Sequence, residues 1–149
     1  EINENAFQSN LNIKIIKINM NKLEIVSEKI FKKLINLIEI NLSRNRIRKL
    51  RDDLFSDQVN LLKLDLSYNR IDEFNNRTFN GLENLRDLFI QENYLKRIQS
   101  YTFFHLKNLK TLNSFDYHKI SFIEPKAFLC LKYIENLNSR QNLLGSLVE

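Results

Sequence analysis

Residues Leu61 to Asn84 read LLKLDLSYNRIDEFNNRTFNGLEN, and this stretch decides the fold because its pattern returns on both sides. Shifted back by 24 positions, Leu37 to Asn60 reads LIEINLSRNRIRKLRDDLFSDQVN. Shifted forward by 24 positions, Leu85 to Asn108 reads LRDLFIQENYLKRIQSYTFFHLKN. Self-similarity at a period of this length indicates a repeat architecture, in which each unit buries its core against its neighbours.

The repeat extends through nearly the whole chain of 149 residues. Complete units are predicted at residues 13–36, 37–60, 61–84, 85–108 and 109–133, with partial units at 1–12 and 134–149. The fifth unit has 25 residues instead of 24, and we expect a local bulge at residues 113–119. Because the chain starts and stops within a unit, we interpret it as an uncapped fragment of a single array.

Each unit opens with apolar residues two positions apart, such as Ile40 and Leu42 or Leu64 and Leu66. This alternation predicts a short strand with both side chains in the interior, and stacking of the units predicts a parallel sheet. The return side repeats a phenylalanine, which predicts a core spine of Phe31, Phe55, Phe79, Phe103 and Phe128. Gln58 interrupts a neighbouring leucine column, so we expect Val59 to turn inward instead.

An asparagine follows most of the predicted strands at the turn. The side-chain amide of asparagine can satisfy main-chain groups that a turn leaves unpaired inside a coil. We therefore predict a structural ladder of Asn21, Asn45, Asn69, Asn93 and Asn142. A second asparagine column, just before the strands, is expected to cap the turn into each strand.

These columns resemble the 24-residue "typical" leucine-rich repeat, LxxLxLxxNxLxxLxxxxFxxLxx, and the resemblance covers nearly the whole chain. The pattern is similar to that of Toll-type receptor ectodomains, Slit-like guidance proteins and chaoptin-like adhesion proteins. The resemblance implies an α/β-type leucine-rich repeat solenoid, shaped as a horseshoe. A parallel sheet of short strands would line its concave face, and irregular or short helical turns its convex side. It also implies an extracellular binding module, whose usual cysteine-rich caps are missing from this sequence.

The predicted concave face varies from unit to unit while the core columns do not, which favours a binding role for this face. Aromatic side chains on a rigid sheet, flanked by charges, suit a protein interface. The predicted ligand-binding residues are Arg44, Lys63, Asp65, Tyr68, Asp87, Phe89 and Phe115. The alternative is that these aromatic side chains are exposed without a role in binding, since single apolar residues are common on protein surfaces.

The formal net charge of +5 is a mild excess, too weak and too dispersed for a nucleic-acid interface. Five basic residues do cluster where the second strand ends, namely Arg44, Arg46, Arg48, Lys49 and Arg51. An anionic glycan is a candidate partner for this edge. Acidic neighbours favour the alternative, which is an ordinary solvated and charged surface.

Two glycosylation sequons occur, at Asn41 and Asn76, in numbers that chance alone explains. Asn76 is expected on the outer return side, and a glycan on Asn41 would obstruct the concave face. The sequence contains no pattern that indicates catalysis, a metal site or a cofactor. Ser114, Asp116 and His118 alternate along one strand and would not converge as a triad. A single cysteine and two histidines do not form a metal-ligand set.

No apolar run reaches the roughly 20 residues that a membrane-spanning helix needs, so this segment is not expected to insert into a membrane. The sequence therefore predicts a non-enzymatic recognition module that binds a protein on its concave face. We place it in an extracellular or cell-surface protein, either secreted or membrane-anchored. The alternative is an intracellular leucine-rich repeat scaffold or regulatory subunit.

Overall fold

A computed structural model describes residues 2–113, 120–138 and 142–144. Eight short strands follow one another: β1 (Ile15–Lys17), β2 (Glu39–Asn41), β3 (Lys63–Asp65), β4 (Asp87–Phe89), β5 (Arg97–Ile98), β6 (Thr111–Asn113), β7 (Phe122–Ile123) and β8 (Asn136–Asn138). Six of them form one sheet in the order β1-β2-β3-β4-β6-β8, and every pairing is parallel. The predicted solenoid with a parallel sheet is confirmed.

The register of the main sheet follows the repeat period. Ile40 pairs with Leu64 and Leu64 with Leu88, each 24 positions further along the chain. Leu112 pairs with Leu137, across the longer fifth unit. The central residue of each strand from β1 to β6 in this sheet is buried, as alternation predicts. Leu137, the corresponding residue of the edge strand β8, is 51% exposed, whereas Ile16 of the opposite edge strand β1 is 4% exposed.

The return side consists of turns, and the described residues contain no helix. A second, two-stranded parallel sheet forms outside the main one, where β5 pairs with β7 through Arg97↔Phe122 and Ile98↔Ile123. One turn requires glycine: Gly81 has φ of +86°, and a Cβ there would lie 2.6 Å from the main-chain oxygens of Phe55 and Ser56. A side chain at this position would therefore strain both the turn and the adjacent repeat.

A column of phenylalanines runs through the core, as predicted. Phe31 and Phe55 stack with their centroids 5.9 Å apart, and Phe103 lies 5.8 Å from both Phe79 and Phe128. The first four rings are at most 1% exposed, and each burial stabilises the fold by about 1.5–3 kcal/mol.

The expectation that Val59 turns inward is wrong. Val59 is exposed, whereas Gln58 is only 1% exposed and keeps the place of the leucines in its column. The Gln58 amide can lie there because its Nε2 donates a hydrogen bond to the main-chain oxygen of Phe31 at 2.7 Å.

Candidate functional site

The candidate site is built on the sheet face, meaning the surface formed by the two residues that flank the buried centre of each strand. The pleat turns these flanking side chains away from the core. The first column of this face runs Ile15, Glu39, Lys63, Asp87 and Thr111. The second column runs Lys17, Asn41, Asp65, Phe89 and Asn113. The sheet register thus fixes which side chains are neighbours.

Six of the seven predicted ligand-binding residues come together on or beside this face. Lys63 pairs in register with Asp87, and Asp65 with Phe89, on the adjacent strands β3 and β4. Arg44 and Tyr68 lie in the turns that follow β2 and β3. Phe115 lies outside the described residues.

Arg44 and Tyr68 form a cation–π pair, with the guanidinium carbon 4.3 Å from the ring centroid. Both residues have φ of 55°, a left-handed conformation that is uncommon for side chains other than glycine and asparagine. Met20 and Glu92 share this conformation at the equivalent positions of their repeats. The main-chain N–H groups of Met20, Arg44 and Tyr68 each donate to a carbonyl of the next repeat, which holds the turns in place.

A second cation–π pair joins β3 and β4 on the sheet face. The Nζ of Lys63 is 5.6 Å from the centroid of the Phe89 ring, and both residues are half-buried. Lys63 lies between two carboxylates of its column, Glu39 and Asp87. In the described part of the chain Asp87 forms no ion pair, whereas Glu39 pairs with Lys17 at 3.4 Å. The face therefore presents two aromatic rings, each covered by a cation, next to an available carboxylate.

Asp65 has a structural role that the sequence analysis missed. Its Oδ1 accepts hydrogen bonds from the N–H of Ser67 at 3.0 Å and from the Ser67 hydroxyl at 2.6 Å. Asn41 holds Ser43 in the same way one repeat earlier. The signal was present as Asx-x-Ser in two successive repeats, a spacing at which such side chains cap a local turn.

The inner asparagines bridge neighbouring repeats. The Nδ2 of Asn69 donates to the carbonyls of Leu42 and Leu66, both at 3.0 Å, while its Oδ1 accepts from the N–H of Ile47. Asn45 and Asn93 repeat this arrangement and are equally buried.

The first member of the predicted ladder differs from these. Among the described residues, Asn21 is exposed and donates only to Ile18 and Asn19 of its own repeat. The Oδ1 of Asn142 accepts from the N–H of Ile120 at 3.3 Å, which is the same bond to the preceding repeat that the inner asparagines make.

The asparagines that precede the strands do not cap their own turns, contrary to expectation. Each donates its Nδ2 to a carbonyl of the preceding repeat, 25 positions earlier. The bonds run from Asn36 to Leu11, Asn60 to Ile35, Asn84 to Val59 and Asn108 to Glu83. They form an exposed second row along the edge where the strands begin.

The two sequon asparagines are in different surroundings. Asn76 is exposed in a return turn. Asn41 is half-buried in β2, and its Oδ1 is bonded to Ser43, the hydroxyl residue of its own sequon. Access therefore favours Asn76 as the glycan acceptor.

The basic cluster of the second repeat is partly neutralised. Lys49 pairs with Glu73 at 2.9 Å, and this hydrogen bond raises the pKa of Lys49 above its ordinary value. Arg48 and Arg51 line a shallow cleft together with Glu24, Glu28 and Asp52. The charge field along this edge is mixed, as the sequence indicates.

The residues considered for a triad, Ser114, Asp116 and His118, lie outside the described residues. In the described ranges, no group of three or more His, Cys, Asp and Glu residues is arranged to hold a metal ion. Nor does any helix of sufficient length and apolarity to cross a membrane occur there.

Comparisons with known proteins agree with this architecture. The family model described as "Leucine rich repeat" matches residues 35–95 and 83–144. No curated protein matches the chain. Among solved structures, the crystal structure of the TLR13–ssRNA13 complex matches with a TM-score of 0.71 at 24% identity. The match covers 98% of this chain and 24% of that chain, and at this identity it concerns the fold alone.

Proposed function

Because the chain belongs to the leucine rich repeat family, we propose that it is a recognition module that binds a protein on its sheet face. The contact residues are Arg44, Lys63, Asp65, Tyr68, Asp87 and Phe89, with Phe115 as a further candidate. Asp65 contributes mainly by holding the turn at Ser67.

The observation that carries this proposal is the pair of adjacent cation–π contacts, Arg44 over Tyr68 and Lys63 over Phe89. A side chain that is already ordered loses less conformational entropy on binding, so such a surface binds at a lower cost. Tyr and Arg are also the residues that most often dominate the energetics of protein interfaces. Asp87 adds a carboxylate that a basic group of the partner would neutralise.

We further propose that the module belongs to an extracellular or cell-surface protein that is glycosylated at Asn76. Asn76 is exposed in a return turn, so a glycan there would leave the sheet face free. The alternative is an intracellular scaffold. Glycosidase treatment of the protein isolated from its natural source separates the two, because only a chain that has passed through the secretory pathway carries a glycan and loses mass on treatment.

A binding screen tests the proposed function. The purified chain is presented to an array of extracellular and cytosolic domains from its source, and each hit is measured again with the double variant Asp87→Lys/Phe89→Ala. We expect this variant to lose binding by at least about a hundredfold, because it removes one ring and reverses one charge.

A matched control makes the same chemical changes elsewhere. Glu28→Lys/Phe104→Ala alters an exposed carboxylate and an exposed ring outside the sheet face. This control should bind as the wild type does, and circular dichroism should show that all three proteins are folded. Hits that are lost with the control but kept by the sheet-face variant would overturn the proposal.

A further inference from the structure

A groove of about 620 Å³ lies outside the sheet face, along the edge where the strands of the later repeats begin. It crosses the residues that precede β3, β4, β6 and β8. None of the proposed sheet-face contacts, from Arg44 to Phe89, lines this groove. The groove is therefore lined by a different set of residues, although Leu62 and Arg86 directly precede Lys63 and Asp87 of the sheet face.

Three asparagines give the groove a fixed polar wall. Asn60, Asn84 and Asn108 are held in place because each Nδ2 donates to the preceding repeat, at 3.0, 2.9 and 2.9 Å. All three residues are exposed. Their Oδ1 atoms can accept hydrogen bonds from N–H groups of a ligand.

The charge of the groove is positive. Arg86, Lys110 and Lys132 line it, against the single carboxylate of Glu135. Glu135 is already paired with Lys110 at 2.8 Å. Within the described residues, Arg86 and Lys132 form no ion pair, so two positive charges remain available to an incoming anion.

The middle repeats lack this positive charge. One and two repeats before Arg86, the equivalent positions hold Leu62 and Ile38, and three repeats before it the position holds Lys14. Equivalents of Lys132 in earlier repeats are Leu11, Ile35, Val59, Glu83 and Lys107, so only Lys107 shares its charge. Lys107 is itself paired with Glu83 at 3.2 Å. The groove therefore differs in charge from the same edge of the second and third complete repeats.

The groove also contains apolar surface. Leu62 and Ile134 are half-buried in its wall, and Tyr133 beside them is 61% exposed. A ligand that carries only charge would leave this surface in contact with water. A ligand with apolar side chains between its charges would bury it, at about 25 cal/mol per Å².

From the asparagine row, the two unpaired cations and the apolar wall together, we propose that this groove binds an extended acidic peptide segment of a protein partner. The carboxylates of the segment meet Arg86 and Lys132, its main-chain N–H groups meet the asparagine oxygens, and its apolar side chains cover Leu62, Tyr133 and Ile134. A nucleic acid fits less well, because Tyr133 offers the only ring in the groove on which a base could stack.

Selection from a displayed library of random dodecapeptides tests the proposal. We expect the peptides selected on the wild-type chain to be enriched in Asp and Glu, with apolar residues between them. Their affinity, measured by fluorescence anisotropy, should fall at least about tenfold with Arg86→Glu/Lys132→Glu. The neutral variant Arg86→Gln/Lys132→Gln should show a smaller loss, and it serves if the charge-reversed protein fails to fold.

Two controls separate the groove from its surroundings. Lys14→Glu/Lys32→Glu changes the net charge equally at exposed positions of the first complete repeat, and it should alter affinity by less than about twofold. Phe89→Ala should also leave peptide binding unchanged, because Phe89 belongs to the sheet face.

Three outcomes would overturn the proposal. In the first, the selected peptides are not acidic or none is enriched. In the second, Arg86→Glu/Lys132→Glu and the control Lys14→Glu/Lys32→Glu lose affinity to the same extent, which would indicate that binding responds to net charge only. In the third, a uridine dodecamer binds more tightly than the peptides and depends on Arg86 and Lys132, which would make the groove a nucleic-acid site.

Discussion

The guanidinium carbon of Arg44 lies 4.3 Å from the centroid of the Tyr68 ring, so a cation of one repeat covers an aromatic ring of the next. The two residues occupy equivalent positions, 24 apart in the sequence. The N–H of Arg44 donates to the carbonyl of Ser67 at 2.9 Å, which fixes the Arg44 turn against the residue before Tyr68. The contact is therefore a product of repeat stacking rather than of local sequence.

We predict that Arg44 and Tyr68 are coupled by about 0.5–1 kcal/mol in the free energy of unfolding, the usual value for an exposed cation–π pair. The measurement is a double-mutant cycle of Arg44→Gln and Tyr68→Leu in urea, which keeps two long side chains while removing the cation and the ring. A cycle of Arg44→Gln with Tyr94→Leu, at another exposed tyrosine, should give a coupling near zero. Equal couplings in the two cycles would contradict a specific contact.

Asn69 should contribute more to stability than Asn21, although the sequence gives them the same place in the repeat. Asn69 is buried and bridges two repeats, whereas Asn21 is exposed and bonds only within its own. We predict that Asn69→Ala lowers the free energy of unfolding by about 1–3 kcal/mol, because it strands buried main-chain groups. Asn21→Ala should cost less than about 0.5 kcal/mol in the same urea titration. Similar losses for the two variants would argue against a buried bridge.

The repeat period was enough to predict the sheet, because residues one period apart in the sequence pair with each other across neighbouring strands. Ile16, Ile40 and Leu64 stand at one spacing in the sequence and pair in that order in the structure. The candidate site was less predictable. Residue type gave no sign that Arg44 and Tyr68 adopt a positive φ, because the adjacent repeat imposes that conformation through hydrogen bonds. Sequence therefore identified the residues of the face but not their contacts.

The strand-start asparagines and Asp65 show the same limit. Asn60 and Asn84 recur in the sequence, but their acceptors are carbonyls one repeat away, which no local turn rule identifies. Asp65 was predicted to contact a ligand, and the structure shows its Oδ1 bonded to Ser67. A polar side chain is hard to assign from one sequence because its partner can lie in a neighbouring repeat, as for the asparagines, or in its own turn, as for Asp65.

Acid should weaken one link between the return turns of neighbouring repeats. Hydrogen bonds from Arg77 and from Asn80 hold the pKa of the Asp53 carboxyl below its usual range. The folded pKa is thus lower than the unfolded value of about 3.9, so Asp53 stabilises the protein fully above that value. This contribution is lost as the pH falls through the folded pKa.

We therefore predict that the melting temperature of the wild type exceeds that of Asp53→Asn at pH 7, and that the gap narrows toward pH 3. Asparagine tolerates the positive φ of 57° at this position, so the comparison isolates the charge. The difference in melting temperature between the wild type and Arg77→Gln should narrow in the same way, because this variant removes the cation of the Asp53–Arg77 ion pair. A gap that stays constant with pH would exclude this titration as the cause.

Gln58 is a polar residue in a leucine column, and replacing it should stabilise the protein. Its Oε1 is buried and has no hydrogen-bond partner among the described residues. The carbonyl of Phe31, to which its Nε2 donates, also accepts from the N–H of Leu34 at 3.1 Å. Gln58→Leu would therefore remove an unpaired acceptor without leaving that carbonyl unpaired. We predict a gain of about 1–2 kcal/mol in the free energy of unfolding, measured in urea.

Gln58→Glu is the informative counterpart, since it buries a charge at the same place and should destabilise the protein strongly. If Gln58→Leu also lowers stability, the 2.7 Å bond to Phe31 outweighs the cost of the unpaired oxygen, and the amide is itself a stabilising part of the core.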